Sequence, residues 1–135
     1  SIPEAIERVR FKPRQSRQDF WALLSNADVI LDPPHWSGGN TSYEALSFGT
    51  PIVTMPSGFM RGRVTYACYK LMGVTDCVAT TKEEYVELAV RLGTNRGYRA
   101  EIKAKILAAN DALYENADAV RDLERFLVSA LEAAR

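Results

Sequence analysis

Apolar and polar positions follow two different periodicities along the first two thirds of the chain. Short, largely apolar runs predict strands at residues 9–11, 27–31, 52–54 and 78–79. The run at 27–31 is almost wholly apolar, which is typical of a parallel strand covered on both faces. Between these runs, apolar residues recur at the spacing of a helix. Such alternation favours a parallel sheet with right-handed crossovers, and we predict a Rossmann-like α/β fold.

The number of predicted strands and the helical pattern of the last third of the chain indicate how the domain is organised. Four strands are few for a doubly wound sheet, so we expect one or two more strands on the N-terminal side. The whole sheet would then have about four to six strands, flanked by helices. Residues 1–135 are interpreted as one domain of a larger chain, with residues 96–135 forming C-terminal helices. The last helix carries an apolar stripe formed by Val120, Leu123, Leu127 and Leu131.

Helix boundaries have local signals. Three predicted helices begin at a serine or threonine with an acidic residue three positions later, as in a capping box, and three end at a glycine. The starts are Ser16, Thr41 and Thr80, and the ends are Gly49, Gly73 and Gly93.

Composition narrows the class of protein. Lysine plus arginine equals aspartate plus glutamate at 17 each, so the chain has no overall charge that would favour nucleic acid or an anionic membrane. The only histidine, His35, and the two cysteines, Cys68 and Cys77, are not in a metal-ligand spacing, and we expect no metal or other cofactor. No apolar run approaches the roughly 20 residues that span a bilayer. We expect a cytoplasmic protein with reduced thiols.

Ligands of open α/β sheets bind at the carboxyl ends of the strands. Three loops, at residues 12–17, 32–40 and 56–62, are predicted to meet at that edge. In the middle loop, Gly38 and Gly39 allow a close approach of the backbone, and the first helical N–H groups suit a phosphate or diphosphate. Asn40 and Thr41 add side-chain donors. A tight turn with a capping threonine is the alternative, and the sequence leaves both open.

The neighbouring polar residues also have two readings each. Glu44 can accept hydrogen bonds from vicinal ribose hydroxyls, or can complete a capping box with Thr41. Arg61 and Arg63 suit phosphate recognition, or are solvated. His35 can line the pocket, or lie on the surface.

The first loop contains a possible nucleobase site. Gln15 and Arg17 beside Phe20 can hold a nucleobase by hydrogen bonds and stacking, although such a phenylalanine is more often part of the core. No set of nucleophile, base and acid is apparent in the chain, which argues against hydrolase chemistry.

Several segments resemble the O-linked N-acetylglucosamine transferase family, which includes bacterial tetratricopeptide-linked members and adhesin N-glucosyltransferases. The segments are LDP at 31–33, GGNTSYEAL at 38–46, GTPIVTMP at 49–56, RV at 63–64, EY at 84–85 and AVRLG at 89–93. The resemblance implies a GT-B architecture, in which two Rossmann-like halves face each other, and this chain would be the C-terminal half. That half would bind a UDP-sugar without a metal, and transfer would invert the anomeric centre.

The resemblance also assigns roles by position. Asn40 and Thr41 would bind the diphosphate together with the helix terminus, and Glu44 would bind the ribose. Arg17, in place of a family lysine, would approach the nucleotide, and Phe20, in place of a family histidine, would lie near the uracil. Gln15 would offer backbone contacts to the base, and Arg63 matches a family arginine without a known role. The animal enzymes have histidine and threonine at the positions of Gly39 and Asn40, which favours the bacterial members.

The function expected from the resemblance is that of the donor-binding half of a glycosyltransferase that modifies protein side chains. Its partners would be a UDP-sugar, a protein or glycan acceptor, an N-terminal half and tetratricopeptide repeats. The main catalytic groups would lie in the N-terminal half, so this chain alone is expected to be inactive. The alternatives are a GT-B transferase that builds a glycan or lipid-linked sugar, and a non-catalytic nucleotide-sugar-binding module.

Overall fold

The computed structural model describes residues 2–114 and 116–134 as a set of helices around a small parallel sheet. The two strands are β1, Ile30–Leu31, and β2, Ile52–Val53. A 3₁₀ turn spans Met60–Gly62. The α-helices of the described residues are α1 Ile2–Ile6, α2 Arg17–Asn26, α3 Asn40–Ser47, α4 Val64–Met72, α5 Lys82–Thr94, α6 Arg96–Ala109, α7 Asp111–Tyr114 and α8 Ala117–Ala133.

The sheet is parallel, as the alternation of elements predicts. Ile30 lies opposite Ile52 and Leu31 opposite Val53. The ladder extends beyond β2 by a parallel bridge between Thr54 and Val78, in which the Thr54 N–H donates to Cys77 O at 3.0 Å. An α/β architecture with parallel pairing is therefore confirmed for this chain.

Three of the predicted strands are corrected. The strand at residues 9–11 is wrong, because residues 9–16 contain no helix or strand and Phe11 is 94% exposed. An extended segment becomes a strand only where a neighbouring strand pairs with its N–H and C=O groups. The strand at 78–79 is reduced to the bridge, and the strand at 27–31 to its last two residues. The described residues thus contain two strands rather than four.

Some helix boundaries are confirmed. The Ser16 Oγ accepts a hydrogen bond from the Asp19 N–H, so Ser16 is the N-cap of α2. Gly49 and Gly73 have φ angles of 72° and 69°, the left-handed conformation that ends α3 and α4.

Other boundaries are shifted by one or two residues. Helix α3 begins at Asn40 with Gly39 as its N-cap and without a side-chain cap, so the predicted start at Thr41 is wrong. The cap of α5 is Thr81 rather than Thr80, because the Thr81 Oγ1 accepts from the Glu84 N–H while the Glu84 carboxylate accepts from the Thr80 N–H. Helix α5 then continues through Gly93 to Thr94.

The core forms around β2, whose two residues are fully buried and which contacts α3 and α5. Its fully buried side chains include Ile52, Val53, Tyr69, Leu92, Ile102 and Ile106. Burial raises the pKa of the Cys77 thiol to about 12, so this side chain is protonated at physiological pH and behaves as a small apolar group.

Tyr69 completes the hydrogen bonding of β2. The segment that contains Val78 pairs with Thr54 but does not extend to Ile52. The N–H and C=O groups of Ile52 therefore need other partners. The Tyr69 hydroxyl accepts from the Ile52 N–H and donates to the Ile52 carbonyl, both at 2.9 Å. One buried side chain therefore satisfies two backbone groups at the centre of the core.

The last helix is less embedded than the core helices. The predicted apolar stripe on α8 is present, but its members Val120, Leu123, Leu127 and Leu131 are more than half exposed, between 52% and 65%. Within residues 2–114 and 116–134, none of the helices is both long and apolar enough to cross a bilayer.

Replacement of Tyr69 by phenylalanine is expected to reduce the free energy of unfolding by roughly 2–4 kcal/mol, because it leaves two buried backbone groups of Ile52 unpaired. Urea denaturation of Tyr69→Phe and the parent measures this difference. Tyr66→Phe on the same helix is the control, since the Tyr66 side chain is only half-buried. Equal losses in the two variants would contradict the role assigned to the Tyr69 hydroxyl.

Candidate functional site

The loop between β1 and α3 ends in a cluster of free hydrogen-bond donors. The N–H groups of Ser42 and Tyr43 already donate to Gly39 O. For the N–H groups of Gly39, Asn40 and Thr41 the described part of the chain provides no acceptor, as expected for the first residues of a helix. These three donors, together with the positive end of the helix dipole, form a terminus suited to an anion.

A cleft of about 290 Å³ lies between this loop and β1. Gly38, Gly39 and Thr41 line one part of it, and the exposed ring of Trp36 lies on its rim. Ile30 and Leu31 of β1 and Ile52 of β2 also line the cleft, which therefore lies beside β1 and includes the loop at its carboxyl end.

The buried carboxylate of Asp32 anchors the loop by hydrogen bonds on its inner side. Asp32 directly follows β1 and is 3% exposed. Its Oδ1 accepts from the Gly38 N–H at 2.8 Å, and its Oδ2 accepts from the hydroxyls of Ser37 and Thr54, both at 2.7 Å. Since the Gly38 N–H is used by Asp32, Gly38 offers no backbone donor to a ligand.

The network continues into α4. The Thr65 Oγ1 lies 3.0 Å from the Ser37 Oγ and 2.8 Å from the Ser42 Oγ, and the Thr65 N–H donates to the Ser37 Oγ at 3.1 Å. A Cβ at Gly38 would lie 2.5 Å from the Ser42 Oγ, so a glycine is needed there for close packing. The network therefore joins the ends of both strands to the first turns of α3 and α4.

Two of the three predicted loops are linked directly. The Ser37 N–H donates to Arg61 O at 2.7 Å, and a Cβ at Gly62 would lie 2.9 Å from Pro34 O. The loops at residues 32–40 and 56–62 consequently form one surface at this edge of the sheet.

The residues of the first loop make their contacts elsewhere. The Gln15 amide donates to Pro13 O, and the Arg17 guanidinium lies 4.5 Å from the centroid of the Trp21 ring. Phe20 packs against the core. None of the three lines the cleft.

The basic candidates do not line the cleft either. The Arg61 guanidinium lies 4.7 Å from the Phe59 ring centroid. The Arg63 guanidinium donates to Ser57 O at 2.8 Å and lies over Tyr66, beside a separate groove on α4. His35 is exposed in the middle loop.

The position of Glu44 is corrected by the start of α3. Because the helix begins at Asn40, Glu44 is its fifth residue, in the second turn, and makes no capping box with Thr41. It is half-buried and lies one turn beyond Asn40 on the same face of the helix.

The residues that sequence reasoning missed are the buried polar groups under the loop: Asp32, Ser37, Ser42, Thr54 and Thr65. The available signal was a polar residue at the end of two apolar runs, Asp32 after β1 and Thr54 after β2. In the described residues no three histidine, cysteine or acidic side chains lie together in a way that could hold a metal ion.

Asp32→Ala is expected to destabilise the chain by roughly 3–5 kcal/mol, because it leaves three donors buried without an acceptor. Chemical denaturation provides the measurement. Asp28→Ala is the control, since Asp28 is 62% exposed and its pairing with Arg99 is worth at most about 1 kcal/mol. A loss for Asp32→Ala no larger than that of the control would show that the network is not a structural anchor.

Comparisons with known proteins agree with the resemblance seen in the sequence. Residues 5–122 match glycosyl transferase family 41. The UDP-N-acetylglucosamine–peptide N-acetylglucosaminyltransferase of Caenorhabditis elegans is 39% identical over 103 residues, which are 75% of this chain and 9% of that protein. The UDP-glucose:protein N-beta-glucosyltransferase of Actinobacillus pleuropneumoniae is 25% identical over 99 residues, 73% of this chain and 16% of that one.

A solved structure extends the match to the fold. A variant of the O-GlcNAc transferase of Thermobaculum terrenum superimposes with a TM-score of 0.80 at 30% identity, over 96% of this chain and 26% of that one. The chain thus spans only a small part of its longer relatives. On the family match and these similarities, the chain belongs to glycosyl transferase family 41.

Proposed function

We propose that this chain is the donor-binding half of an inverting, metal-independent GT-B glycosyltransferase that transfers a sugar from UDP to protein side chains. The observation that carries the proposal is the cluster of three free N–H donors at Gly39, Asn40 and Thr41, beside a cleft between β1 and the loop that follows it. Relatives of the chain are named for UDP-sugar donors, which supports the diphosphate of a UDP-sugar as the ligand of these N–H groups.

The same donors explain how this half contributes to transfer. When the bond between sugar and diphosphate breaks, negative charge develops on the leaving diphosphate. Fixed N–H groups and a helix terminus stabilise that charge without reorganisation, which lowers the barrier. The exposed hydroxyl of Thr41 and the amide of Asn40 lie at the same terminus and would add donors.

The nucleoside would extend from this terminus towards the neighbouring helices. Glu44, on the same face of α3 as Asn40, would accept hydrogen bonds from the ribose hydroxyls. Helix α2 packs against α3, which supports a base site formed by Gln15, Arg17 and Phe20 at the start of α2. Arg17 and the Gln15 backbone would contact the base, and Phe20 would support it from the core side. The proposal assigns no role to Arg61, Arg63 or His35, none of which lines the cleft.

The names of the relatives support a protein acceptor. The enzymes from Caenorhabditis elegans and Actinobacillus pleuropneumoniae are named for peptide and protein acceptors, which favours side-chain modification over synthesis of a glycan or lipid-linked sugar. An N-terminal half would complete the cleft and supply the main catalytic groups, and tetratricopeptide repeats would present the acceptor. The whole domain would have a sheet of about four to six strands and act in the cytoplasm.

Titration of the chain with UDP in the presence of EDTA tests the proposal. We expect UDP to bind without metal and AMP, the matched control, not to bind, because the diphosphate and the uracil are both required. Isothermal calorimetry gives both affinities. Binding of neither nucleotide, or of both equally, would contradict a donor site for UDP-sugars.

Glu44→Gln is expected to raise the dissociation constant for UDP at least about tenfold, because a carboxylate that accepts two ribose hydrogen bonds contributes roughly 1.5–3 kcal/mol. The same titration measures the change. Glu87→Gln on the exposed face of α5 is the control and should leave binding unchanged. An unaltered affinity in Glu44→Gln would remove Glu44 from the site.

A further inference from the structure

Thr65 is a fully buried polar residue that does not line the cleft. It lies in the first turn of α4 with 0% exposure. Its hydroxyl lies between those of Ser37 and Ser42, at 3.0 Å and 2.8 Å. These two serines flank the segment from Gly38 to Thr41, which carries the free N–H donors.

The outer side of that segment has few contacts. Gly39, Asn40 and Thr41 are exposed, and a Cβ at Gly39 would meet nothing within 4 Å. Glycine-containing backbone that is open on one side has several accessible conformations unless it is anchored. The anchors are on the inner side, where Asp32 holds Ser37 and Gly38, and Thr65 connects Ser37 to Ser42.

Asp32 and Thr65 act on different parts of the segment. Within the loop, the Asp32 carboxylate contacts only Ser37 and Gly38, which precede the donors, whereas Thr65 is bonded on both sides of them. Loss of the Thr65 hydroxyl would remove the side-chain link between Ser42 and Ser37, leaving only the backbone bond from the Ser42 N–H to Gly39 O. The first turn of α3 could then move relative to Ser37, and the three N–H groups would no longer point at one position.

We propose that Thr65 is a positioning residue that holds the N–H groups of Gly39, Asn40 and Thr41 in the orientation that binds the donor diphosphate. This proposal rests on the proposed function and names a residue of α4, outside the cleft, on which phosphate recognition depends. It acts through Ser37 and Ser42 and does not touch the ligand.

The chain contains a closely matched control for this role. Thr50 is 1% exposed, and its hydroxyl donates one buried hydrogen bond to Leu24 O at 2.8 Å. It precedes β2, at the opposite end of the strand from the loop. Thr50→Val and Thr65→Val therefore make the same chemical change at equal burial, but only the second affects the segment that carries the donors.

The experiment measures dissociation constants for UDP and for uridine by NMR titration of the 135-residue chain, in the parent, Thr65→Val, Thr65→Ser and Thr50→Val. We expect Thr65→Val to weaken UDP about fivefold, the effect of losing one well-oriented hydrogen bond, and to leave uridine unchanged. Thr65→Ser, which keeps the hydroxyl, should restore UDP binding, and Thr50→Val should match the parent. The amide resonances of Gly39, Asn40 and Thr41 should shift in Thr65→Val only.

Other results would overturn the proposal. Parental UDP affinity in folded Thr65→Val, or equal losses for UDP and uridine, would show that Thr65 does not act through the diphosphate. If Thr65→Val does not fold, Ser42→Ala removes the same link from the α3 side, and parental UDP affinity in that variant has the same meaning. A parent that binds no UDP would refute the proposed function, and the role of Thr65 with it.

Discussion

The arrangement of the candidate site depends on one buried carboxylate, that of Asp32. Removing a carboxylate from water costs several kcal/mol unless hydrogen bonds or an opposite charge compensate it. Here the compensation comes from the Gly38 N–H and from the hydroxyls of Ser37 and Thr54. Because all three donors must reach the same two oxygens, the loop after β1 and the end of β2 have little freedom relative to each other.

The charge of this carboxylate also fits the helices around it. The N-terminal ends of α3 and α4, which carry partial positive charge, both meet the network, at Ser42 and Thr65. The carboxylate faces them on the inner side of the loop. The N–H groups of Gly39, Asn40 and Thr41 lie on the outer side and stay available. One structure thus combines a buried anion with an exposed anion-binding terminus.

Burial is distributed unevenly in the chain. The tightest packing surrounds β2, where Tyr69, Ile102 and Ile106 are fully buried. Residues 9–16 and helix α8 have few buried side chains, and elements of this kind open at a lower free-energy cost than a core. The site lies on the well-packed part, since the segment that carries the donors is bonded to both strand ends. A site that must orient several donors benefits from such a rigid base.

Features that depend on neighbouring residues were determined by the sequence alone. The apolar runs located β1 and β2, Ser16 specified the start of α2, and Gly49 and Gly73 specified two helix ends, because caps and left-handed glycines act within a few residues. Several short segments, of which residues 38–46 are the longest, likewise indicated the family. Tertiary structure decided what depends on distant partners. Residues 9–11 pair with no strand of the described chain and therefore form none. Helix α3 starts at Asn40 without a side-chain cap, not at Thr41.

The buried network is the clearest case of a feature decided by tertiary structure. Thr54 and Thr65 follow Asp32 by 22 and 33 positions along the chain. In the sequence all three look like ordinary polar residues. Folding brings them to one sheet edge and excludes water, so each hydroxyl must bond to another member. The sequence identified the loop that presents the donors, whereas the packing of β1, β2 and α4 beneath it decided how those donors are held.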